Sequence, residues 1–422
     1  MNSRELALDL LGRWEKSRRL ADDLLERSLS NSVLTGADRA FATELFYGCL
    51  RHKLALEFLL TQLAKKSPRP LVADIVKLGL YQLLFLNTPV HAAVNETVTL
   101  AKRCASVAET KFVNAILRKA AATDPAAMLE KAEPWIRLSH PRWLWERWRE
   151  RWGDEAATAL CKWNNEPPPI YVRRNTLKKS NTDASTMLEE TTAASRPDIR
   201  SKVYRILEAK KFFDSEAWQN GEFYVQDPST LIAVDELDPQ PGESVLDVCA
   251  APGGKTTYIA QKMQNHGRVI AADSSNSRLA TVGENCRRLG VTIVATLACE
   301  GERLDRCLRG EQFDRVLVDA PCSNTGVMRR RPDLRWRIEE KEIARLAHLQ
   351  LKLLCKAAEF VTAVGVVIYS TCSLEPEENE RVTEQFGTLH QEFVRETTRS
   401  TFPPRDGIDG AFVAKFRKKN AA

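Results

Sequence analysis

Three features are missing from this chain of 422 residues. No uninterrupted apolar run approaches the ~18 residues that a membrane-crossing helix needs, which excludes a helical membrane protein. No CxxC pair or Cys/His cluster stands at zinc-ligand spacing, so no structural metal is expected. No internal repeat or low-complexity segment is found, which sets aside repeat arrays and compositional linkers. The start, "MNSRELALDLLGRWEKSRR", mixes charges among its apolar positions and lacks the layout of a signal peptide, so the expected location is the cytoplasm. The ten cysteines are scattered; without secretion a disulfide framework is not expected, and most thiols should be reduced.

What is present is ordinary in bulk and specific in detail. Hydrophobic residues make up 43% and charged residues 28%, as in a globular protein, and a prior of ~150 residues per domain gives roughly three domains. The net charge of +6 is mild, so any anionic partner depends on where the basic residues gather.

The first 130 residues or so read as successive helices. Leu6, Leu10, Leu11 and Trp14 fall at helical spacing, as do Val72, Val76, Leu80 and Leu83, then Val113, Ile116 and Leu117. Breaks are expected at "SPRP" (67–70) and "NTPVHAA" (87–93). Such a module either simply folds as a bundle or binds RNA. Next, "PRWLWERWRERWGD" places Trp145, Trp148 and Trp152 on one helical stripe, which favours a docking helix over a base-stacking surface. The strand "IYVRR" then carries Arg173 and Arg174, with Lys178 and Lys179 just beyond, and is either solvated or a phosphate-contacting edge.

From about residue 242 strands and helices alternate, which predicts a mostly parallel, doubly wound sheet with its site at the C-terminal strand ends. The first strand-to-helix turn is "DVCAAPGGK", Asp247 to Lys255, where Gly253 and Gly254 permit close backbone approach ahead of a helix N-terminus. It is neither GxGxxG nor a phosphate loop. Asp273 closes the second strand where a carboxylate meets ribose hydroxyls, so a nucleoside-containing cofactor is expected. Cys322 in "DAPCSNTG" and Cys372 in "STCS" each follow a strand of this sheet. One thiol alone reads as a buried strand-end residue; the matched pair beside a cofactor crevice reads as covalent chemistry.

"DVCAAPGGKTT", "AADSS", "VDAPCSNTGVMRRRPDLRW" and "YSTCSLEPEENE" closely resemble the motifs of the S-adenosylmethionine-dependent RNA cytosine-5 methyltransferases, and "GEFYVQDPST" resembles the family's approach to the cofactor turn. "PVHAAVNETV" and "KFVNAILRK" resemble the NusB-like domain found in front of the branch acting on bacterial 16S ribosomal RNA. With "PPPIYVRRNT" the likeness spans nearly the whole chain. It implies a multidomain α and α/β architecture: an all-α NusB-like RNA-binding bundle (1–138), a linker helix with a small α+β RNA-binding module (139–235), and a Rossmann-like catalytic domain (236–422).

On chemistry alone the two thiols cannot be ranked. The resemblance implies that Cys372 attacks carbon 6 of cytosine, that Cys322 assists breakdown of the adduct, and that Asp319 lies beside base and cofactor. It also implies that S-adenosylmethionine is held by Cys249, Ala250, Ala251, Pro252, Gly253, Gly254 and Lys255, with Asp273 on the ribose, Asp319 bordering it and Glu300 near the adenine. Glu300 stands where the family usually has aspartate, and Ala411 where an aromatic is common. The implied partner is 16S ribosomal RNA, bound by a monomer without membrane contact. "MRRRPDLRWR", with Arg329, Arg330, Arg331, Arg335 and Arg337 around Trp336, is the expected local RNA contact; a solvated charged face is the alternative. The rivals are the same chemistry on another RNA, such as transfer RNA, and a non-catalytic assembly factor.

Overall fold

The computed structural model describes residues 1–86, 88–179, 185–190 and 203–420. The chain forms two compact units, one of Met1–Pro167 with Met328–Arg337, the other of Pro168–Val327 with Ile338–Ala422.

The first unit is helical, as its periodicity predicts. Ser3–Lys16 buries Leu6, Leu10, Leu11 and Trp14; Pro70–Leu84 buries Val72, Val76 and Leu80; Val107–Ala122 buries Val113, Ile116 and Leu117. Burying each leucine side chain contributes roughly 2 kcal/mol, so one shared core holds these amphipathic faces together. The helix starts are chemically marked. Asn2 with Glu5 and Ser106 with Glu109 form capping boxes, and Pro70 opens its helix at the position where a missing N–H costs nothing. Of the two expected breaks, Asn87 lies outside the described residues.

Arg142–Asn165 is helical except at Gly153, whose φ of 82° interrupts it. Trp145 and Trp148 are buried before that kink, whereas Trp152 beside it is only half-buried, with Arg151 over its ring at 4.5 Å. The buried part of the expected tryptophan stripe therefore ends at Trp148.

The second unit contains two sheets. Strands β1 (Tyr171–Arg174), β2 (Leu188–Glu190), β3 (Val203–Ile206) and β4 (Phe223–Val225) make an antiparallel sheet in the order β2-β3-β1-β4. The larger sheet comprises β5 (Ser244–Val248), β6 (Arg268–Asp273), β7 (Val294–Ala298), β8 (Phe313–Asp319), β9 (Val361–Thr371), β10 (Phe393–Thr401) and β11 (Ala411–Lys418). Its order is β10-β11-β9-β8-β5-β6-β7, with β7, β6, β5, β8 and β9 parallel and β10 and β11 antiparallel at one edge.

Both faces of the central parallel strands β5, β8 and β9 are covered, which is why they read as largely apolar runs. Val245, Leu317, Val366 and Ile368 pack under Leu231–Leu237 and Gly254–Lys262, while Leu246, Val316, Val318, Val367 and Tyr369 pack under Glu340–Ala358 and Glu380–Leu389. The chain runs from β5 outward through β6 and β7, then returns to β8 and β9 on the other side. That reversal opens a crevice beyond the C-terminal ends of β5 and β8, where doubly wound sheets place their ligands.

Candidate active site

The turn after β5 is held in an unusual backbone conformation. Cys249 has φ 64°, Gly253 has φ 101°, and the Ala251–Pro252 peptide is cis. The left-handed conformation at Gly253 is open to glycine without the Cβ penalty that other residues meet there. The surroundings fix this shape. Asp273 at the end of β6 accepts from the Ala251 N–H at 3.2 Å and the Ser275 N–H at 3.0 Å, Arg278 donates to the Ala251 carbonyl at 2.6 Å, and Asn285 donates to that of Pro252 at 3.0 Å. Burial pushes the Cys249 thiol up to about 12, so it sits in the turn as a neutral group.

Asp247 was legible only as the first residue of the turn, yet its position is distinctive. The side chain is wholly buried; Oδ2 accepts from Thr256 Oγ1 at 2.6 Å, and Oδ1 has no hydrogen-bond partner among the described residues. Burial raises its pKa to about 7, helped by Asp319 and Asp273 and opposed by the Thr256 hydrogen bond and by Lys255. A buried acceptor without a donor costs free energy, and an incoming cationic or N–H group relieves it.

Lys255, from the first turn of Gly254–Lys262, reaches Asp319 at the end of β8, Nζ to Oδ2 2.7 Å. Burial alone would lower the lysine pKa, but the Asp319 carboxylate, with Cys372 and Asp247 behind it, outweighs that and the net shift is upward. The ammonium therefore stays charged between the cofactor turn and the thiols.

Cys322 and Cys372 come together as the sequence pairing implied. Asp319 lies opposite Ser370 in the β8–β9 register, so the two chains leave the sheet side by side, and the sulfur atoms end 3.2 Å apart. The hydrogen bond to Cys372, followed by burial, raises the Cys322 thiol well above its ordinary range. On the other side of Cys372 stands Asn324, at φ 58°, its Oδ1 2.9 Å from the sulfur and its Nδ2 donating to the Cys322 carbonyl at 2.7 Å. Sequence spacing gave no sign of Asn324, because its left-handed backbone aims it back at a residue distant in sequence.

The remaining expectations fare unevenly. Glu300 follows β7 at the same end of the sheet, but it is exposed and pairs with Arg303 at 3.1 Å. Cys299 and Cys307 form a disulfide, while the other eight cysteines are free, so most of the thiols are reduced as expected. Arg173 is not a phosphate-contacting residue at a strand edge. It is buried beneath the cofactor turn, donating to the Gly254 carbonyl at 3.1 Å and Thr257 Oγ1 at 3.2 Å, with Tyr258 stacked at 4.7 Å, and burial lowers its pKa to about 10.

The arginine run after Cys322 also departs from the expected RNA contact, because it is used inside the helical unit. Arg335 is fully buried and donates to Asn165 Oδ1 at 2.7 Å and to the carbonyls of Asn164 and Ser139 at 2.9 and 3.2 Å. Trp336 Nε1 donates to the Leu50 carbonyl at 2.7 Å, Arg337 donates to that of Trp14 at 2.6 Å, and Arg329 meets Glu166 at 3.1 Å beneath the Trp163 ring. The exposed Arg331 pairs with Asp22 at 3.6 Å.

A parallel sheet whose reversal point carries a glycine turn, an acid on the neighbouring strand and a lysine–aspartate pair defines the class of S-adenosylmethionine-dependent methyltransferases. Three family models match the chain: "16S rRNA methyltransferase RsmB/F" over residues 234–417, the NusB family over 1–122, and the ferredoxin-like domain of RsmF/B-like methyltransferases over 140–203. "Probable ribosomal RNA small subunit methyltransferase B" of Bacillus subtilis is 33% identical over 99% of this chain and 98% of its own. "Ribosomal RNA small subunit methyltransferase B" of Yersinia enterocolitica is 34% identical over 94% and 93%. The crystal structure of the protein PH0851 superposes with a TM-score of 0.80 at 25% identity, covering 99% of each chain. The chain belongs to the RsmB/F family of 16S ribosomal RNA methyltransferases, and is an S-adenosylmethionine-dependent enzyme. No helix among the described residues is long and apolar enough to cross a membrane.

Proposed function

We propose that the chain methylates carbon 5 of a cytidine in 16S ribosomal RNA through a covalent bond between Cys372 and carbon 6 of the base. The observation that carries this reading is the pairing of two thiols 3.2 Å apart at the mouths of adjacent strands, next to the Lys255–Asp319 pair. A scaffold protein needs neither thiol there.

S-adenosylmethionine, when bound, supplies a methyl group on a sulfonium. The residues fit it: the turn Cys249, Ala250, Ala251, Pro252, Gly253, Gly254 and Lys255 lines one side, the unpartnered oxygen of Asp247 offers an acceptor, and Asp273, Asp319 and Glu300 end the neighbouring strands. Asp273 serves the ribose hydroxyls and Glu300 the adenine end. Carbon 5 of cytosine is a poor nucleophile. Addition of the Cys372 thiolate across the 5,6 double bond turns the ring into an enamine, and carbon 5 becomes nucleophilic. Once carbon 5 carries the methyl group, its proton leaves to a base. The carbon 6–sulfur bond then breaks, its electron pair returns to Cys372, and the aromatic ring is restored. Cys322, held as a thiol, is placed to protonate the departing sulfur. The base must be unstacked to reach Cys372, which favours a loop or single-stranded target. The chain acts in the cytoplasm as a monomer, with residues 1–138 and 139–235 as RNA-binding modules and 236–422 as the catalytic one.

The test is to incubate wild type, Cys322→Ala and Cys372→Ala with 16S ribosomal RNA and cofactor and to resolve covalent protein–RNA adducts on denaturing gels. Cys322→Ala should accumulate an adduct, while Cys372→Ala should form none and transfer no methyl group. An adduct or methyl transfer by Cys372→Ala would overturn the assignment.

A further inference from the structure

Between the two cysteine loops lies a glutamate that no step of the reaction uses. Glu378, from the loop after β9, is fully buried. Its Oε1 accepts from the Ser323 N–H at 2.8 Å and from Gln350 Nε2 at 3.0 Å, and its Oε2 accepts from the hydroxyls of both Ser323 and Ser373, whose oxygens are 3.0 Å apart. Ser323 follows Cys322 and Ser373 follows Cys372 in the chain. Gln350 also donates to the Pro321 carbonyl at 2.9 Å, so the segment leading into Cys322 is tied to the same point.

We propose that Glu378 is the positioning residue of the thiol pair: one carboxylate collects donors from both cysteine loops and so sets the distance between Cys322 and Cys372. A carboxylate is the side chain for this task because it only accepts and offers about four lone-pair positions, all of which are filled here. Two serine hydroxyls bonded only to each other would fix neither backbone. Burying a carboxylate costs several kcal/mol before its hydrogen bonds are counted, so a loop closure needed only for stability would be met more cheaply by apolar packing. Burial pushes the Glu378 carboxyl above its ordinary range, against the pull of the two serines and Gln350.

The proposal rests on the cysteine-adduct reading for its catalytic consequence, but its geometric content is tested without RNA. In the full-length protein, diamide, which takes up two thiol hydrogens as an S–S bond forms, should cross-link Cys322 to Cys372 rapidly, as followed by mass spectrometry. Glu378→Gln replaces one acceptor oxygen with an NH₂ donor, and the cross-linking rate is expected to fall about tenfold. In the same variant kcat for methyl transfer should fall about 100-fold, while KM for the cofactor stays within about threefold, because the cofactor turn is untouched. A wild-type cross-linking rate in Glu378→Gln would overturn the proposal, whatever happens to kcat. If that variant does not fold, Ser323→Ala, which removes one hydroxyl donor, decides by the same readout: an unchanged rate refutes the clamp and a slowed one supports it. Should 16S ribosomal RNA prove the wrong substrate, the cross-linking result stands independently.

Discussion

Asp247 shows how much a single side chain can depend on its setting. Its carboxyl pKa is raised from an ordinary 3.8 to about 7, burial being the largest cause. Below pH ~4 the group is protonated whether the chain is folded or not; between ~4 and ~7 the folded state holds a proton that the unfolded state has released. Its contribution to stability is therefore present in full at low pH and is lost as pH rises through about 7, an upper limit of ~4 kcal/mol for a shift of about three units. Asp247→Asn keeps the shape and removes the titration. The melting temperature of the catalytic unit without cofactor should consequently fall less between pH 5 and pH 8 in the variant than in wild type, and parallel curves would reject the assignment. At this scale the sequence was informative where a residue's neighbours are local. Cys249 to Lys255 form one turn, Asp319 ends a strand, and Cys322 and Cys372 each follow one. Asn324, Glu378 and Arg173 were not legible as site-shaping groups, because their partners lie tens of residues away and only the folded chain brings them together.

At the scale of elements, backbone joins the loop from β8 toward the helix Glu340–Ala358 to the loop after β9 at Gly326, in addition to the side-chain ties through Glu378. The Gly326 N–H donates to the Cys372 carbonyl at 3.0 Å, and its own carbonyl accepts from the Gly410 N–H at 2.8 Å. A Cβ on Gly326 would stand 2.7 Å from the Cys372 oxygen and 2.7 Å from Gly410 Cα, with only backbone to give way. Gly326→Ala should therefore displace the Cys372 peptide, destabilise the unit by about 1–3 kcal/mol and cut methyl transfer about 100-fold. Melting curves and a labelled-methyl assay would check this, and near-normal activity would show that the two loops have slack. The central parallel strands were readable because both their faces are covered and they run largely apolar. β10 was not readable: Val394–Glu396 and Thr398–Ser400 are mostly exposed and polar, the composition of an edge strand that discourages pairing with another chain.

At the scale of the molecule, the covalent path matters as much as the packing. The chain passes between its two units three times, at Pro167–Pro168, Val327–Met328 and Arg337–Ile338, so ten residues embedded in catalytic-domain sequence belong structurally to the helical unit. From sequence these residues look like an RNA-facing basic patch, because a run of arginines gives no sign of being desolvated. Burial reverses the reading. The Arg335 guanidinium has no water to return to, and burial lowers its pKa to about 9 while the carbonyls of Asn164 and Ser139 and the amide oxygen of Asn165 take its protons' hydrogen bonds. Removing such a buried donor strands its acceptors and costs about 3 kcal/mol. A fragment ending at residue 167 lacks the whole insert, and it should melt below the helical unit of the full chain. A peptide of residues 328–337 added in trans should raise that melting temperature in a concentration-dependent way, as any ligand of the folded state does. The same peptide carrying Arg335→Ala should not. If the fragment melts like the intact unit, or both peptides act alike, the arginine is a passenger; if only the native peptide restores stability, the catalytic sequence supplies a structural part of the helical unit.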